Sequence, residues 1–249
     1  CIIGEIDKSR CVSYFSTVPK GFCVGTGFHG GYEMADIMKL QNGSDIRGIA
    51  CEGIAGENVN LTGDAGNLIG GGFVRWLAEK KGKRTDELRI GIGHDSRITA
   101  DSLFAAAAKG IVAAGAKVYD CGLVSTPSMF MTTVFEAFAF DGAIMITASH
   151  LPFNRNGYKF FDRDGGLEHD DITKVLETAS GLAVVEADLS AVEKVDSISV
   201  YCGFLQEKIR KSINADDYDR PLAGLHIVVD TGNGAGGFFV EKVLDPLGA

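Results

Sequence analysis

The chain has 249 residues, 45% of them hydrophobic, and a net charge of −9. That length holds one large domain or two smaller ones with cores of their own, and the acidic balance argues against a general nucleic-acid surface while leaving room for a local basic pocket for an anionic metabolite. No apolar run approaches bilayer length, and the six cysteines (Cys1, Cys11, Cys23, Cys51, Cys121 and Cys202) form no CxxC pair or Cys/His ligand spacing, so a membrane span, zinc and redox motifs find no support.

Residues 1–36 show no periodicity. From Lys8 to Tyr32 there is no acidic residue, while Ser and Thr are frequent. That composition is compatible with a disordered leader or the remnant of an organelle transit peptide, which puts a plastid (chloroplast) location forward, with the cytoplasm as the other. A first residue of Cys1 and an apparent helix running up to Ala249 fit a fragment or processed chain.

Next comes Leu40 to Ala50, where glycines and Ser44 surround Arg47. Glycine lets the backbone turn tightly towards a ligand, and arginine offers a planar fork matched to phosphate. An ordinary surface turn with a solvated arginine is the competing reading. Leu68 to Lys80 has helical spacing, with Gly82 as its stop. Leu88 to Gly93 reads as a strand, His94 to Arg97 as a polar turn, Thr99 to Ala114 as an Ala-rich helix ended by Gly115, and Lys117 to Asp120 as the next strand. This strand–helix–strand order predicts a parallel sheet, with His94 and Arg97 on the turn where such sheets bind ligands. Thr126-Pro127 opens a helix to about Phe138. Asp141 to Ile146 is a buried strand that ends at Thr147-Ala148-Ser149-His150-Leu151-Pro152. Tyr158 to Phe161 is a short strand, Asp164 to Gly166 a turn, and Asp170 to Ser180 a helix.

Residues 183–198 change in character, losing aromatics and periodicity, and read as a connector. Ser199 to Ile213 is helical. Leu225 to Asp230 reads as a strand, and Thr231 to Gly237 as a Gly-rich turn into a final helix. The expected class is therefore α/β, a three-layer α/β/α domain with a mixed, mostly parallel sheet over 37–182, then the start of a second similar α/β domain over 199–249.

Ser149, His150 and Lys159 bring a hydroxyl, a titratable base and a fixed cation to the end of one strand. A hydrolase serine would want the G-x-S-x-G elbow, and both glycines are missing here. A phosphoryl carrier instead needs a hydroxyl in a polar pocket, cations against the phosphate charge, and a base for the acceptor's proton. His150, Lys159, Arg47 and Arg97 are candidates for those tasks. Gly232 to Gly237 fits G-x-G-x-x-G after a strand, but the supporting acid about twenty residues on would fall beyond Ala249.

Four segments resemble the α-D-phosphohexomutases, the phosphoglucomutases, phosphomannomutases and phosphoglucosamine mutases. Ser44-Asp45-Ile46-Arg47-Gly48 is similar to the N-terminal S-G-I-R-G or Y-D-I-R-G loop, and Gly93 to Arg97 to G-R-D-T-R. Thr147 to Pro152 with Asn156-Gly157-Tyr158-Lys159 resembles the T-A-S-H-N-P…N-G-x-K loop. Asp230 to Gly236 is similar to D-x-x-N-G-A-G. Leu151 replaces the usual Asn, and His94 an Arg.

The resemblance implies an intramolecular phosphotransferase that interconverts hexose 1-phosphate and 6-phosphate through a phosphoserine and a bisphosphate intermediate. It implies Ser149 as the phosphoserine, Lys159 as the general base, and Arg47 and His150 as helpers at the reacting phosphate. Ser44, Arg97 and Asn156 then bind phosphate or substrate. Mg²⁺ is implied on the phosphate of Ser149, with three aspartates of a D-G-D-x-D-R motif expected beyond Ala249. Its partners are the hexose phosphate and bisphosphate, with neither nucleic acid nor membrane. Leu151 and the missing aspartates motivate an alternative, a non-catalytic sugar-phosphate-binding relative of the same fold.

Overall fold

The computed structural model describes residues 37–249. The leader expected over 1–36 lies outside the described residues. The elements are β1 (Gln41–Asn42), β2 (Asp45–Ile49), α1 (Gly63–Lys81), β3 (Arg89–His94), α2 (Ala100–Ala113), β4 (Lys117–Leu123) and α3 (Thr126–Val134). They continue with β5 (Gly142–Ile146), β6 (Arg155–Asp162), β7 (Gly165–Gly166), α4 (His169–Ser180), β8 (Glu193–Lys194) and α5 (Ser197–Ile213).

The strands form one sheet in the order β1-β2-β6-β5-β3-β4-β8, with β7 paired to β6. β5, β3, β4 and β8 pair in parallel, and β6 runs antiparallel to β2, β5 and β7. Since β1 is antiparallel to β2, six of the eight strands share one direction and only β1 and β6 oppose it.

Alternation along the strands builds three layers. Ile144, Ile146, Tyr158 and Phe160 point into a core shared with α1, α2 and α4. Ala143, Met145 and Phe161 point to the other face, which is filled by Met129 of α3, Ile198 and Cys202 of α5, Phe138 and Phe140. Every residue of β5 is buried, which is why the segment is one uninterrupted apolar run. The rings of Phe73 and Phe160 pack at 4.7 Å, tilted by 40°, with no exposed surface, each contributing roughly 1.5–3 kcal/mol by burial.

α1 is capped at both ends. The Thr62 hydroxyl accepts from Ala65 N–H at 3.1 Å, and Gly82, at φ +60°, closes α1. α1 and α2 touch backbone to backbone. A Cβ on Gly110 would lie 1.9 Å from the Asn67 carbonyl oxygen, and one on Gly70 would lie 2.3 Å from that of Ala107.

Four expectations shift. α3 stops at Val134, where Phe135 takes extended backbone, and Ala139, at φ +45°, then separates Phe138 and Phe140, which both enter the second core. The connector supplies β8, which covers the open edge of β4, and Val185, whose backbone pairs with the Asn67 side-chain amide at 2.9 and 3.0 Å. Leu225 to Asp230 has no ladder among the described residues. Its apolar run finds no sheet to enter, and Val228 stays 79% exposed. The final helix is a succession of short turns, Ala235–Gly237, Val240–Leu244 and Asp245–Leu247. No helix among the described residues is long and apolar enough to cross a membrane.

Candidate active site

The loop after β5 sits at the sheet's C-terminal edge, where parallel strands deliver their ends to solvent. Thr147 and Ala148 are still buried, while Ser149 and His150 are exposed. Ser149 has φ +54°, a left-handed conformation that disfavours any residue with a Cβ. It is held there locally, since its N–H donates to the Thr147 hydroxyl oxygen at 2.9 Å. The Thr147 hydroxyl in turn donates to Asp95 Oδ2 at 2.6 Å. Ser149 Oγ lies 3.3 Å from His150 Nδ1, so the hydroxyl and the imidazole are direct neighbours.

Period-two geometry gathers the cations on the same side. Asp45 and Arg47 alternate on β2, and Gly157, Lys159 and Phe161 on β6. Phe161 belongs to the second core, so Lys159 and Gly157 share its face. Arg47 pairs with Gly157 across the ladder, and Met145 with Lys159. Gly157 has no side chain to block Arg47, whose Nη1 donates across it to the Thr147 carbonyl. Arg47 Nη2 donates to Asp45 Oδ2 at 2.7 Å, and Lys159 Nζ donates to Asp45 Oδ1 at 2.8 Å. One carboxylate thus spaces the two cations. Burial holds the Arg47 guanidinium below its usual range, with the Asp45 charge opposing that effect. A cation stripped of part of its water is well disposed towards an anion.

The other expected residues are placed differently. Arg97 directs its terminal nitrogens to four backbone carbonyls of the loop at 2.7–2.9 Å, leaving no η N–H for a phosphate. Asn156 is fully buried. Its amide donates to Thr99 Oγ1 at 2.9 Å and accepts from Gly157 N–H at 2.8 Å, which ties β6 to the start of α2. Ser44 stands at the tip of the β1–β2 hairpin, and no hydrogen bond among the described residues ties it to the Ser149 loop. Asp45, Asp95 and Thr147 are the residues that reading the chain for nucleophiles and cations overlooks. Their signal is spacing, since Asp45 and Asp95 each stand two positions before an arginine.

A cleft of about 380 Å³ opens beside the loop, with Lys39, Arg47 and Arg155 among its walls and Leu151 and Pro152 on the loop side. Arg155 is held by Glu57 at 2.7 Å. At the other end of the site, Ser96 Oγ donates to the Asn233 carbonyl at 2.7 Å, so the Gly-rich turn meets the turn after β3. All four motif segments therefore join one contact network. Among the described residues, no group of three His, Cys, Asp or Glu side chains is placed to hold a metal. The nearby carboxylates are engaged, Asp45 by two cations and Asp95 by Thr147 and Arg97. These residues do not by themselves fit a resident cation.

Comparison with known proteins bears on the family and the fold. The family profile described as phosphoglucomutase/phosphomannomutase, alpha/beta/alpha domain I, matches residues 38–181. A phosphoglucosamine mutase of Caldicellulosiruptor saccharolyticus is 32% identical over 215 residues, covering 85% of this chain and 44% of that protein. One from Caldicellulosiruptor bescii is 33% identical with the same coverage. The chain thus spans less than half the length of these relatives. A phosphoglucomutase/phosphomannomutase family protein from Burkholderia thailandensis shares the fold at a TM-score of 0.61 and 24% identity, over 86% of this chain and 42% of that one. The profile covers more than half of the chain and encloses β2, β6 and the Ser149 loop, so the chain belongs to the phosphoglucomutase/phosphomannomutase family.

Proposed function

We propose that the full-length protein is a phosphohexomutase, interconverting hexose 1- and 6-phosphates, and that Ser149 carries the transferred phosphoryl group. One observation supports this above the others: an exposed serine, held in a left-handed turn at the end of β5, touches a histidine and shares a sheet edge with two cations. Phosphoryl transfer asks mostly for positioning and charge compensation, which this arrangement offers.

In this reading the phosphoester on Ser149 Oγ gives its phosphoryl group to a sugar hydroxyl. The Oγ–P bond breaks, a sugar O–P bond forms, the hydroxyl proton passes to Lys159, acting as base from its neutral amine form, and His150, 3.3 Å from Oγ, protonates the released serine oxygen. Asp45 fixes where the Lys159 nitrogen sits. The bisphosphate turns over, its other phosphoryl group returns to Ser149 Oγ as His150 takes the serine proton, and Lys159 gives its proton to the sugar oxygen released. Arg47 and His150 offset the phosphate charge. Mg²⁺ belongs to this proposal through the family alone. The chain would offer it one donor, the phosphate carried by Ser149. Residues 199–249 are proposed as the opening of a second domain, after the connector at 183–198. The plastid location rests on the acid-poor leader.

Relatives named phosphoglucosamine mutase put glucosamine phosphate first among the substrates to assay, beside glucose and mannose phosphates. The test is intact-mass and peptide mass spectrometry of the full-length protein, with a coupled assay for 1-/6-phosphate exchange. Phosphate on Ser149 and loss of exchange to background in Ser149→Ala are expected. A Ser149→Ala protein that still exchanges would end the proposal.

A further inference from the structure

We infer that Arg97 is a positioning residue, which locks the backbone of the Ser149 loop and thereby sets the direction of the nucleophile, instead of binding a phosphate. The inference rests on the reading of Ser149 as nucleophile. Arg97 Nη1 donates to the Pro152 carbonyl at 2.7 Å and to that of Arg155 at 2.9 Å. Nη2 donates to the Ser149 carbonyl at 2.9 Å and to that of Leu151 at 2.7 Å. A guanidinium has four η hydrogens in one plane, and all four are used. The acceptors span residues 149–155, so one rigid fork joins the start of the loop to the first residue of β6.

Asp95 works on the loop from the other side. Its Oδ1 accepts from Arg97 N–H at 3.1 Å, and its Oδ2 lies 3.5 Å from Arg97 Nε while accepting the Thr147 hydroxyl. That hydroxyl oxygen receives Ser149 N–H. The N–H of Ser149 is therefore fixed through Asp95 and its carbonyl through Arg97. With both ends of the residue held, φ and ψ are determined, and a strained conformation of this kind persists only where its surroundings impose it. Lysine cannot substitute, because an ammonium is a point donor with three hydrogens and cannot reach four carbonyls in one plane.

The experiment uses the full-length protein, with Arg97→Lys and Arg97→Ala. Displacing the nucleophile by about an ångström should lower kcat about 10²-fold in both variants and leave KM for the sugar phosphate within roughly twofold. Added guanidinium should restore part of the kcat of Arg97→Ala, and methylammonium should not. Amide exchange over residues 148–155 should quicken in both variants while the core helices stay protected. Wild-type kcat in Arg97→Lys, or a defect confined to KM, would overturn the inference, the latter pointing to a phosphate ligand. If the wild-type protein neither carries phosphate on Ser149 nor turns over, it is the mutase reading that fails. Loop exchange then decides separately, since unchanged exchange in Arg97→Ala would overturn the clamp.

Discussion

Gly157 decides where Arg47 can go. A Cβ there would lie 2.0 Å from the Ile46 carbonyl oxygen, 2.8 Å from Arg47 Cδ and 2.9 Å from Arg47 Nη1. The first of these is sheet backbone and cannot move without breaking the β2–β6 ladder. Gly157→Ala should cost about 1–3 kcal/mol of stability, as overpacking in a tight site does, and it should pull Arg47 off the Thr147 carbonyl. Urea unfolding of wild type and variant checks this, and an unchanged midpoint would mean that the ladder absorbs the methyl group. The same spacing argument explains what could be read in advance at this scale. Ser149, His150, Arg47 and Lys159 announce themselves by chemistry, and the sheet brings them to one edge. Arg97 and Asn156 look the same in sequence, but their partners are backbone carbonyls and a helix cap, which no residue type reveals.

Among the elements, β3, α2, β5 and α4 were legible because their patterns are local, an apolar run or a 3.6-residue stripe between glycines and prolines, whereas β6 runs over Arg155–Asp162, twice the expected length. β8 was not. It is two residues long, both exposed, and exists only because β4 leaves an open edge for it to cover. Leu225 to Asp230 shows the reverse case, since its composition is that of a buried strand but its partners are not among the described elements. Propensity supplies the side chains for a strand, and only a neighbouring edge supplies the hydrogen bonds. Amides 226–230 should therefore exchange fast in a protein of this length, close to unprotected rates. If these residues open a second domain, the same amides should be protected in the full-length protein. Equal, fast exchange in both would remove the support for that domain.

At the scale of the whole molecule, one sheet separates two apolar clusters, and the ionisable groups trapped in them link stability to pH. Cys121 and Cys202 are free thiols, and both are buried in the second cluster. Burial pushes the Cys121 thiol up to about 12 from an ordinary 9.0, against a smaller opposing effect of the nearby Ser197 hydroxyl. Burial raises the Tyr158 phenol in the first cluster as well. The sign follows from which state holds the proton. Between those two values the unfolded chain releases the thiol proton and the folded chain keeps it. Stability is therefore full below about pH 9 and is lost as pH climbs towards about 12, with the difference in Cys121 worth on the order of 4 kcal/mol at most. Cys121→Ala removes this titration and leaves Tyr158 in place, so the variant isolates the thiol. Its unfolding free energy should decline less steeply than that of wild type above about pH 9, by up to about 1.4 kcal/mol per pH unit. Parallel declines would show that water reaches Cys121 between β4 and α5, and that the second cluster is not sealed on that side.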